Sequence, residues 1–190
     1  IPKDQYIRAV KPGDSVLLVG GRTGRDGIHG VTFASAELTE ESEEVSRPAV
    51  QIANPIEEEK IKRALKEVSD RKLGSGITDI GGGGLSCGVC ETAETYGLGV
   101  EAHLDRVPLK ATDMAPWEIW VSESQERMLL AVPTGNIDEV VSIFHDEQVE
   151  TTVLGTYNET GQADIYYHGI KVAEMELGPL FNPPKLERTT

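Results

Sequence analysis

The sequence contains few cysteines, no long apolar segment and no signal-peptide pattern. Its two cysteines, Cys87 and Cys90, are too few for a disulfide framework, which favours a reducing compartment. No run of eighteen apolar residues is present, as a membrane-spanning helix would require. The N-terminal residues lack the basic and then apolar pattern of a signal peptide. We therefore expect a cytoplasmic globular protein that has no membrane partner.

Positive charge is scarce as well. The chain has 18 lysine and arginine residues against 32 aspartate and glutamate residues, a formal net charge of −14 at pH 7. This balance argues against a nucleic-acid partner. An anionic ligand would need local arginines, backbone N–H groups or a metal ion. Much of the negative charge lies between Glu37 and Glu44, a run typical of a solvated surface segment.

The order of apolar runs and amphipathic segments predicts the fold class. Strand and helix patterns follow one another as strand, helix, strand, helix, strands, helix and antiparallel strands. This order predicts an α+β domain with a mixed sheet and helices packed on it. The sequence opens with IPKDQYIRAVKPGD and closes with the proline-rich, extended-looking LGPLFNPPKLERTT. Both ends resemble linkers, so we expect a domain of a longer chain.

Local signals mark two helices and a first strand. The apolar run from Val16 to Val19 predicts a buried strand before the first glycine cluster. Asn54 is a candidate cap for a helix that has Pro55 at its first position and is expected to stop at Gly74. Asn136, followed three residues later by a glutamate, predicts a capping-box start for a later helix.

The first glycine cluster, GGRTGRDGIHG, spans Gly20 to Gly30. Closely spaced glycines allow the backbone to approach a ligand, and Arg22 or Arg25 could add donors to bind an anion. The Lys-Ser/Thr ending of a Walker A loop is absent. A ligand-facing loop and a glycine-rich crossover with surface arginines both fit the pattern.

The second cluster, DIGGGGL, runs from Asp79 to Leu85. Four glycines before a helix suit an anion or a closely packed backbone, but their spacing is not that of a dinucleotide fingerprint. Asp79 has the chemistry to bind a hard cation such as Mg²⁺. An aspartate that bonds the following turn is the alternative, and the residues alone favour it.

The segment SESQER, Ser122 to Arg127, is polar and precedes an apolar strand. It fits either a polar wall of a ligand site or an ordinary polar turn. Cys87 and Cys90 lie on the same side of a predicted helix and have no second ligand pair for zinc, so we expect small buried thiols. The four histidines are scattered and predict no catalytic triad.

Together, the blocks GGRTGRDGIHGVTFAS, DIGGGGLSCGVCETAETYGLGVEAHLDRVPL and SESQERMLLAV resemble the phosphoribosylformylglycinamidine synthase family. The resemblance extends from Lys11 to the PPKLER tail. It implies the C-terminal domain of the first half of the synthetase subunit, which shares its fold with aminoimidazole ribonucleotide synthetase. The implied boundaries are a linker from an N-terminal ATP-binding domain at 1–14, the domain at 15–178 and a C-terminal linker at 179–190.

The resemblance also implies roles for single residues. Gln51, in AVQIANP, corresponds to a substrate-binding glutamine, although Ala53 and Asn54 replace the usual pair after it. Asp79 corresponds to the family's magnesium aspartate, which reverses the preference drawn from the residues alone. The family's substrate-contacting ESQ is matched by Glu123, Ser124 and Gln125. The first glycine cluster is expected to face a cleft towards the missing domain; Arg22, Arg25, Asp26 and His29 receive no individual role.

The implied reaction converts formylglycinamide ribonucleotide, glutamine-derived ammonia and ATP, with Mg²⁺, to the amidine. Most ATP and Mg²⁺ ligands of the family lie in the N-terminal domain, so this piece alone is expected to be inactive. Implied partners are that domain, a glutaminase subunit or domain, and a small accessory subunit. The alternatives are a related kinase or synthetase of the superfamily, a non-catalytic binding or regulatory module, and a scaffold that docks a glutaminase. The SESQERMLL block argues against the first of these.

Overall fold

The computed structural model describes residues 9–28 and 54–183 of the chain. Predictions for Gln51, His29 and the run from Glu37 to Glu44 therefore lie outside the described residues. No helix in the described ranges is both long enough and apolar enough to span a bilayer.

The centre of the fold is one seven-stranded mixed sheet, in the order β2-β4-β1-β5-β3-β6-β7. Strands β3 and β6 pair in parallel, and the other described pairs are antiparallel. The strands are β1 (Ser15–Gly20), β2 (Gly76–Asp79), β3 (Gly99–His103), β4 (Arg127–Val132), β5 (Thr151–Asn158), β6 (Gln162–Tyr167) and β7 (Ile170–Glu176). The α+β fold with a mixed sheet is confirmed.

Helices pack on both faces of this sheet. They are α1 (Pro55–Asp70), α2 (Gly84–Thr95), α3 (Pro116–Val121), α4 (Ile137–Asp146) and α5 (Leu177–Phe181). Strand β1 lies inside the sheet, between β4 and β5. It is buried on both sides, because its side chains alternate between two cores. Val16 and Leu18 join the core under α2 and α3, whereas Leu17 and Val19 join the core under α1 and α4.

Helix α1 begins as its sequence predicts and ends earlier. The Asn54 side chain accepts a hydrogen bond from the Glu57 N–H at 3.3 Å, and Pro55 occupies the first position. The helix ends at Asp70 and not at Gly74, because Lys72 takes a left-handed conformation, with φ 59°. The Leu73 N–H then bonds the Val68 carbonyl, as in a glycine-terminated helix.

Two local predictions are wrong. Asn136 makes no side-chain cap on α4; its Nδ2 donates to the Leu73 carbonyl at 2.9 Å and ties the start of α4 to the segment after α1. The expected extended tail is helical over Leu177–Phe181, because Leu177 is buried in the core.

The described part of the predicted N-terminal linker packs with the domain. Val10 is buried in the core, and the Gly13 N–H donates to the Tyr157 carbonyl at 2.8 Å. The domain boundaries themselves remain predictions.

Candidate functional site

The register of the sheet brings three chemistry-bearing segments to the same end. Gly20, the last residue of β1, pairs with Arg127, and Asp79, the last residue of β2, pairs with Met128. Because β4 is antiparallel to both strands, their exits lie beside its entrance. We call the segment after β1 the first loop (residues 21–28), that after β2 the glycine loop (residues 80–83), and that before β4 the site turn (residues 122–126).

The first loop is bonded directly to the site turn. The Gly24 N–H donates to Ser124 Oγ at 2.9 Å, and Ser122 Oγ donates to the Gly24 carbonyl at 2.7 Å. The Glu123 N–H donates to the Asp26 carbonyl at 2.8 Å. These bonds make the two segments a single unit, although about one hundred residues separate them in the sequence.

Arg127 is buried beneath this unit, with 3% of its surface exposed. Its Nε donates to the Ser124 carbonyl, Nη2 to the Ser122 carbonyl and Nη1 to Thr23 Oγ1, each at 2.7 Å. Burial lowers the pKa of the guanidinium to about 10, although the negative charge of Asp26 acts to raise it. Arg127 therefore stays protonated at pH 7.

Asp26 supplies the negative charge of this buried network. Asp26 Oδ2 accepts a short hydrogen bond from Ser124 Oγ. The same oxygen forms an ion pair with Lys110 Nζ at 2.7 Å. Burial acts to raise the pKa of Asp26, but hydrogen bonds from Lys110 and Ser124 and the charges of Lys110 and Arg127 outweigh it. The pKa therefore lies below its ordinary value, and the carboxylate is ionised at neutral pH.

Glu123 connects the site turn to the glycine loop. Its Oε1 accepts a hydrogen bond from the Gly83 N–H at 2.9 Å, at the start of helix α2. A carboxylate is favoured there by the partial positive charge of a helix N-terminus. Gly27 has φ +64°, and a Cβ there would lie 2.4 Å from Glu123 Oε2, so this approach needs glycine.

Asp79 is exposed and contacts the same glycine loop. Its Oδ2 accepts a hydrogen bond from the Gly81 N–H at 3.4 Å, which is the turn-bonding arrangement. Within residues 9–28 and 54–183, no three His, Cys, Asp or Glu residues are grouped to hold a metal ion. An exposed carboxylate is the right donor for Mg²⁺, yet Asp79 can supply only part of a coordination shell.

The remaining predicted residues differ in exposure. Gln125 is exposed, and its Nε2 donates to the Glu123 carbonyl at 3.0 Å. Ser124 is buried, with its hydroxyl turned to Asp26 and Gly24. The structure thus brings Asp79, Glu123 and Gln125 together around the glycine loop and the site turn. Their ligand-binding roles stay predictions, as does that of Gln51.

The loop arginines are engaged in ion pairs. Arg22 contacts Glu150 at 2.8 Å, and Arg25 contacts Glu118 at 2.8 Å and the Asp113 carbonyl. Cys90 is buried as expected, and burial, followed by nearby Cys87 and Glu91, raises its pKa to about 12. Cys87 is only half-buried, so the prediction of two buried thiols is confirmed for Cys90 alone.

Sequence reasoning missed the network of Arg127, Asp26 and Lys110. An arginine at the entrance of an apolar strand is usually exposed, and only strand pairing places this one under the first loop. The nearest signal in the sequence was the paired occurrence of Thr23-Gly-Arg-Asp26 and SESQER, both polar and both next to buried strands.

The fold and these joined loops define an α+β domain with a polar site at one end of a mixed sheet. Residues 11–168 match the profile of the family described as AIR synthase related protein, C-terminal domain. The chain belongs to that family.

Individual relatives are similar over nearly the whole chain. The phosphoribosylformylglycinamidine synthase subunit PurL of Pyrococcus abyssi is 45% identical over 177 residues, 93% of this chain and 25% of that protein. The PurL subunit of Methanothermobacter marburgensis is 40% identical over 190 residues, 99% of this chain and 27% of that protein. The chain thus spans about a quarter of the length of these relatives.

Solved structures of Thermotoga maritima PurL are similar in fold. The complex with FGAR has a TM-score of 0.85 and 33% identity, covering 99% of this chain and 31% of that chain. The complex with ATP has a TM-score of 0.81 and 29% identity, covering 100% of this chain and 29% of that chain. The PurLQS structure has a TM-score of 0.82 and 28% identity, covering 100% of this chain and 30% of that chain.

Proposed function

We propose that this chain is the part of a phosphoribosylformylglycinamidine synthase that forms one wall of its active site. The complete enzyme would convert formylglycinamide ribonucleotide (FGAR), ammonia from glutamine and ATP to the amidine in purine biosynthesis. Support comes from the similarity to PurL subunits along nearly the whole chain and from the PurL complexes with FGAR and with ATP.

One observation carries the proposal: the predicted metal residue and a predicted substrate residue bond the same short loop. Asp79 accepts from the Gly81 N–H, and Glu123 accepts from the Gly83 N–H, two residues further on. A ligand that contacts the exposed side of the site turn would therefore lie near a cation bound at Asp79. Proximity of substrate and cation is what an ATP-dependent ligase requires.

The predicted residues divide into two roles. Gln125 and Glu123 offer polar groups to FGAR, because Gln125 is exposed and Glu123 is partly so. Ser124 is proposed to hold the turn, because its hydroxyl bonds Asp26 and Gly24 and its backbone N–H and carbonyl bond Ser122 Oγ and Arg127.

Gln51 is proposed to join this site by chain connectivity. The Asn54 N–H donates to Glu126 Oε1 in the site turn at 2.8 Å. Three residues of extended chain span at most about 11 Å, which keeps Gln51 within reach of the turn.

Mg²⁺ and ATP are proposed as the cofactors. Asp79 would give one oxygen ligand to Mg²⁺, which neutralises charge on the transferred phosphoryl group when bound. The other ligands and most ATP contacts would come from an N-terminal domain of the same polypeptide. The glutaminase partner is proposed from the PurLQS structure, and the small accessory subunit and the cytoplasmic location from the family resemblance.

The test is a turnover assay of the full-length subunit with FGAR, ATP, Mg²⁺ and ammonia. We expect amidine formation by the subunit and none by the 190-residue chain alone. Asp79→Asn should raise the Mg²⁺ concentration for half-maximal rate about tenfold, because an amide is a weaker ligand than a carboxylate. Asp146→Asn, at the exposed end of α4, is the matched control. An inactive subunit, or an unchanged Mg²⁺ requirement, would contradict the proposal.

A further inference from the structure

We propose that Arg127 is a positioning residue that aims the backbone N–H of Gln125 at an oxygen acceptor of the substrate. The inference rests on the proposed function and adds a binding group to its site. It concerns the shape of the site turn, which the buried guanidinium fixes from below.

Arg127 holds two backbone carbonyls of the site turn. Two of its three hydrogen bonds end on carbonyls of the site turn, those of Ser122 and Ser124. The third ends on Thr23 of the first loop. A guanidinium has a rigid fork of donors, so these bonds fix the orientation of two peptide planes and not merely a distance.

Peptide geometry then sets the direction of the N–H groups in the site turn. The C=O and N–H of a trans peptide point in opposite directions, and no described peptide is cis. The Ser122 carbonyl faces Arg127, and the N–H of the same peptide, that of Glu123, donates to the Asp26 carbonyl. The Ser124 carbonyl also faces Arg127, so the N–H of Gln125 points away from the buried guanidinium.

The Gln125 N–H is available to bind a ligand. Among residues 9–28 and 54–183, none accepts a hydrogen bond from the Gln125 backbone, and Gln125 is exposed. The N–H therefore belongs to an exposed residue of the turn and has no acceptor among the described residues. A phosphate, hydroxyl or carbonyl oxygen of a ribonucleotide is a suitable acceptor for it.

The test uses Arg127→Lys in the full-length subunit, because lysine keeps the charge and loses the fork. We expect the KM for FGAR to rise about tenfold while kcat and the KM for ATP change less than about threefold. Arg63→Lys, in the exposed ion pair of α1 with Glu147, is the control and should leave all three constants unchanged. An unchanged KM for FGAR, or equal increases in both KM values, would overturn the inference.

Hydrogen–deuterium exchange gives a second measurement that needs no variant. Addition of FGAR to the wild-type subunit should slow exchange at the Gln125 N–H, and this protection should be lost in Arg127→Lys. Exchange at Gln125 that FGAR does not change would contradict the proposal even if Arg127→Lys fails to fold. Because wild-type turnover is measured separately, a failure of the proposed function is distinguishable from a failure of this inference.

Discussion

At the scale of single residues, burial separates the groups that hold the site from those that can meet a ligand. Arg127 and Ser124 are almost fully buried, and their polar atoms bond the first loop and the site turn. Gln125 and Asp79 are exposed at the same end of the sheet. Similar polar residues within one short segment therefore have different physical roles.

Gly84 is a glycine next to the site whose replacement should cost stability. Its φ is +60°, and a Cβ would lie 2.1 Å from the Ser122 carbonyl oxygen. We expect Gly84→Ala to lower the free energy of unfolding by about 3 kcal/mol through backbone strain and displacement of the site turn. Urea denaturation measures this change.

The control is Gly135→Ala, because nothing lies within 4 Å of a Cβ at that position. It should change the free energy of unfolding by less than about 0.5 kcal/mol. Equal effects of the two substitutions would contradict the close packing of α2 on the site turn.

Asp26 should make stability depend on pH. Its pKa is lower in the folded protein than in the unfolded chain, so the unfolded chain takes up the proton first as the pH falls. The stabilisation is present above about pH 4, the ordinary carboxyl range, and is lost as the pH falls through the lower folded value. We expect Asp26→Asn to have a shallower loss of stability between neutral pH and pH 2.5 than the wild type.

Urea denaturation across this pH range measures the difference, with exposed Asp146→Asn as the control. The control should follow the wild-type curve. A slope for Asp26→Asn as steep as that of the wild type would show that Lys110 and Ser124 do not stabilise the Asp26 carboxylate.

At the scale of elements, local signals predicted what depends on neighbours in sequence. Asn54 and Pro55 marked the start of α1, and the apolar run from Val16 to Val19 marked β1. Helix α3, six residues long, gave too short a pattern to detect. Asn136 looked like a cap, but a carbonyl of another segment competes for its side chain, and no local pattern encodes that.

Helix α2 depends on a carboxylate that comes from another segment. At the start of α2, Glu123 accepts a hydrogen bond from the Gly83 N–H. Gly83, at the N-cap position, has no side chain that could cap the helix. We expect Glu123→Ala to speed hydrogen exchange of the Gly83 N–H about tenfold, and Glu123→Gln, which keeps an acceptor, to speed it less. Exchange measured by NMR checks this order.

Glu126→Ala is the matched control, because Glu126 belongs to the same turn and contacts Asn54 instead. It should leave Gly83 exchange unchanged. If Glu126→Ala and Glu123→Ala speed the exchange equally, general loosening of the turn explains the effect.

At the scale of the whole molecule, the sheet gives the site its location. The three segments of the site lie far apart in the sequence, and only the pairing of β1 and β2 with β4 brings them together. The chemistry of each block was visible in the sequence, whereas the buried network that joins them was not. The site is also one-sided: Asp79 alone cannot complete a metal shell from the described residues.

Substrate binding at the site turn is tested most directly by calorimetry of FGAR with the full-length subunit, comparing Gln125→Ala with Gln162→Ala. Gln162 begins β6 at the opposite end of the sheet, so it is a matched amide outside the site. We expect at least about tenfold weaker binding for Gln125→Ala and wild-type binding for Gln162→Ala. Wild-type affinity in Gln125→Ala would contradict a role of the Gln125 side chain in binding the substrate.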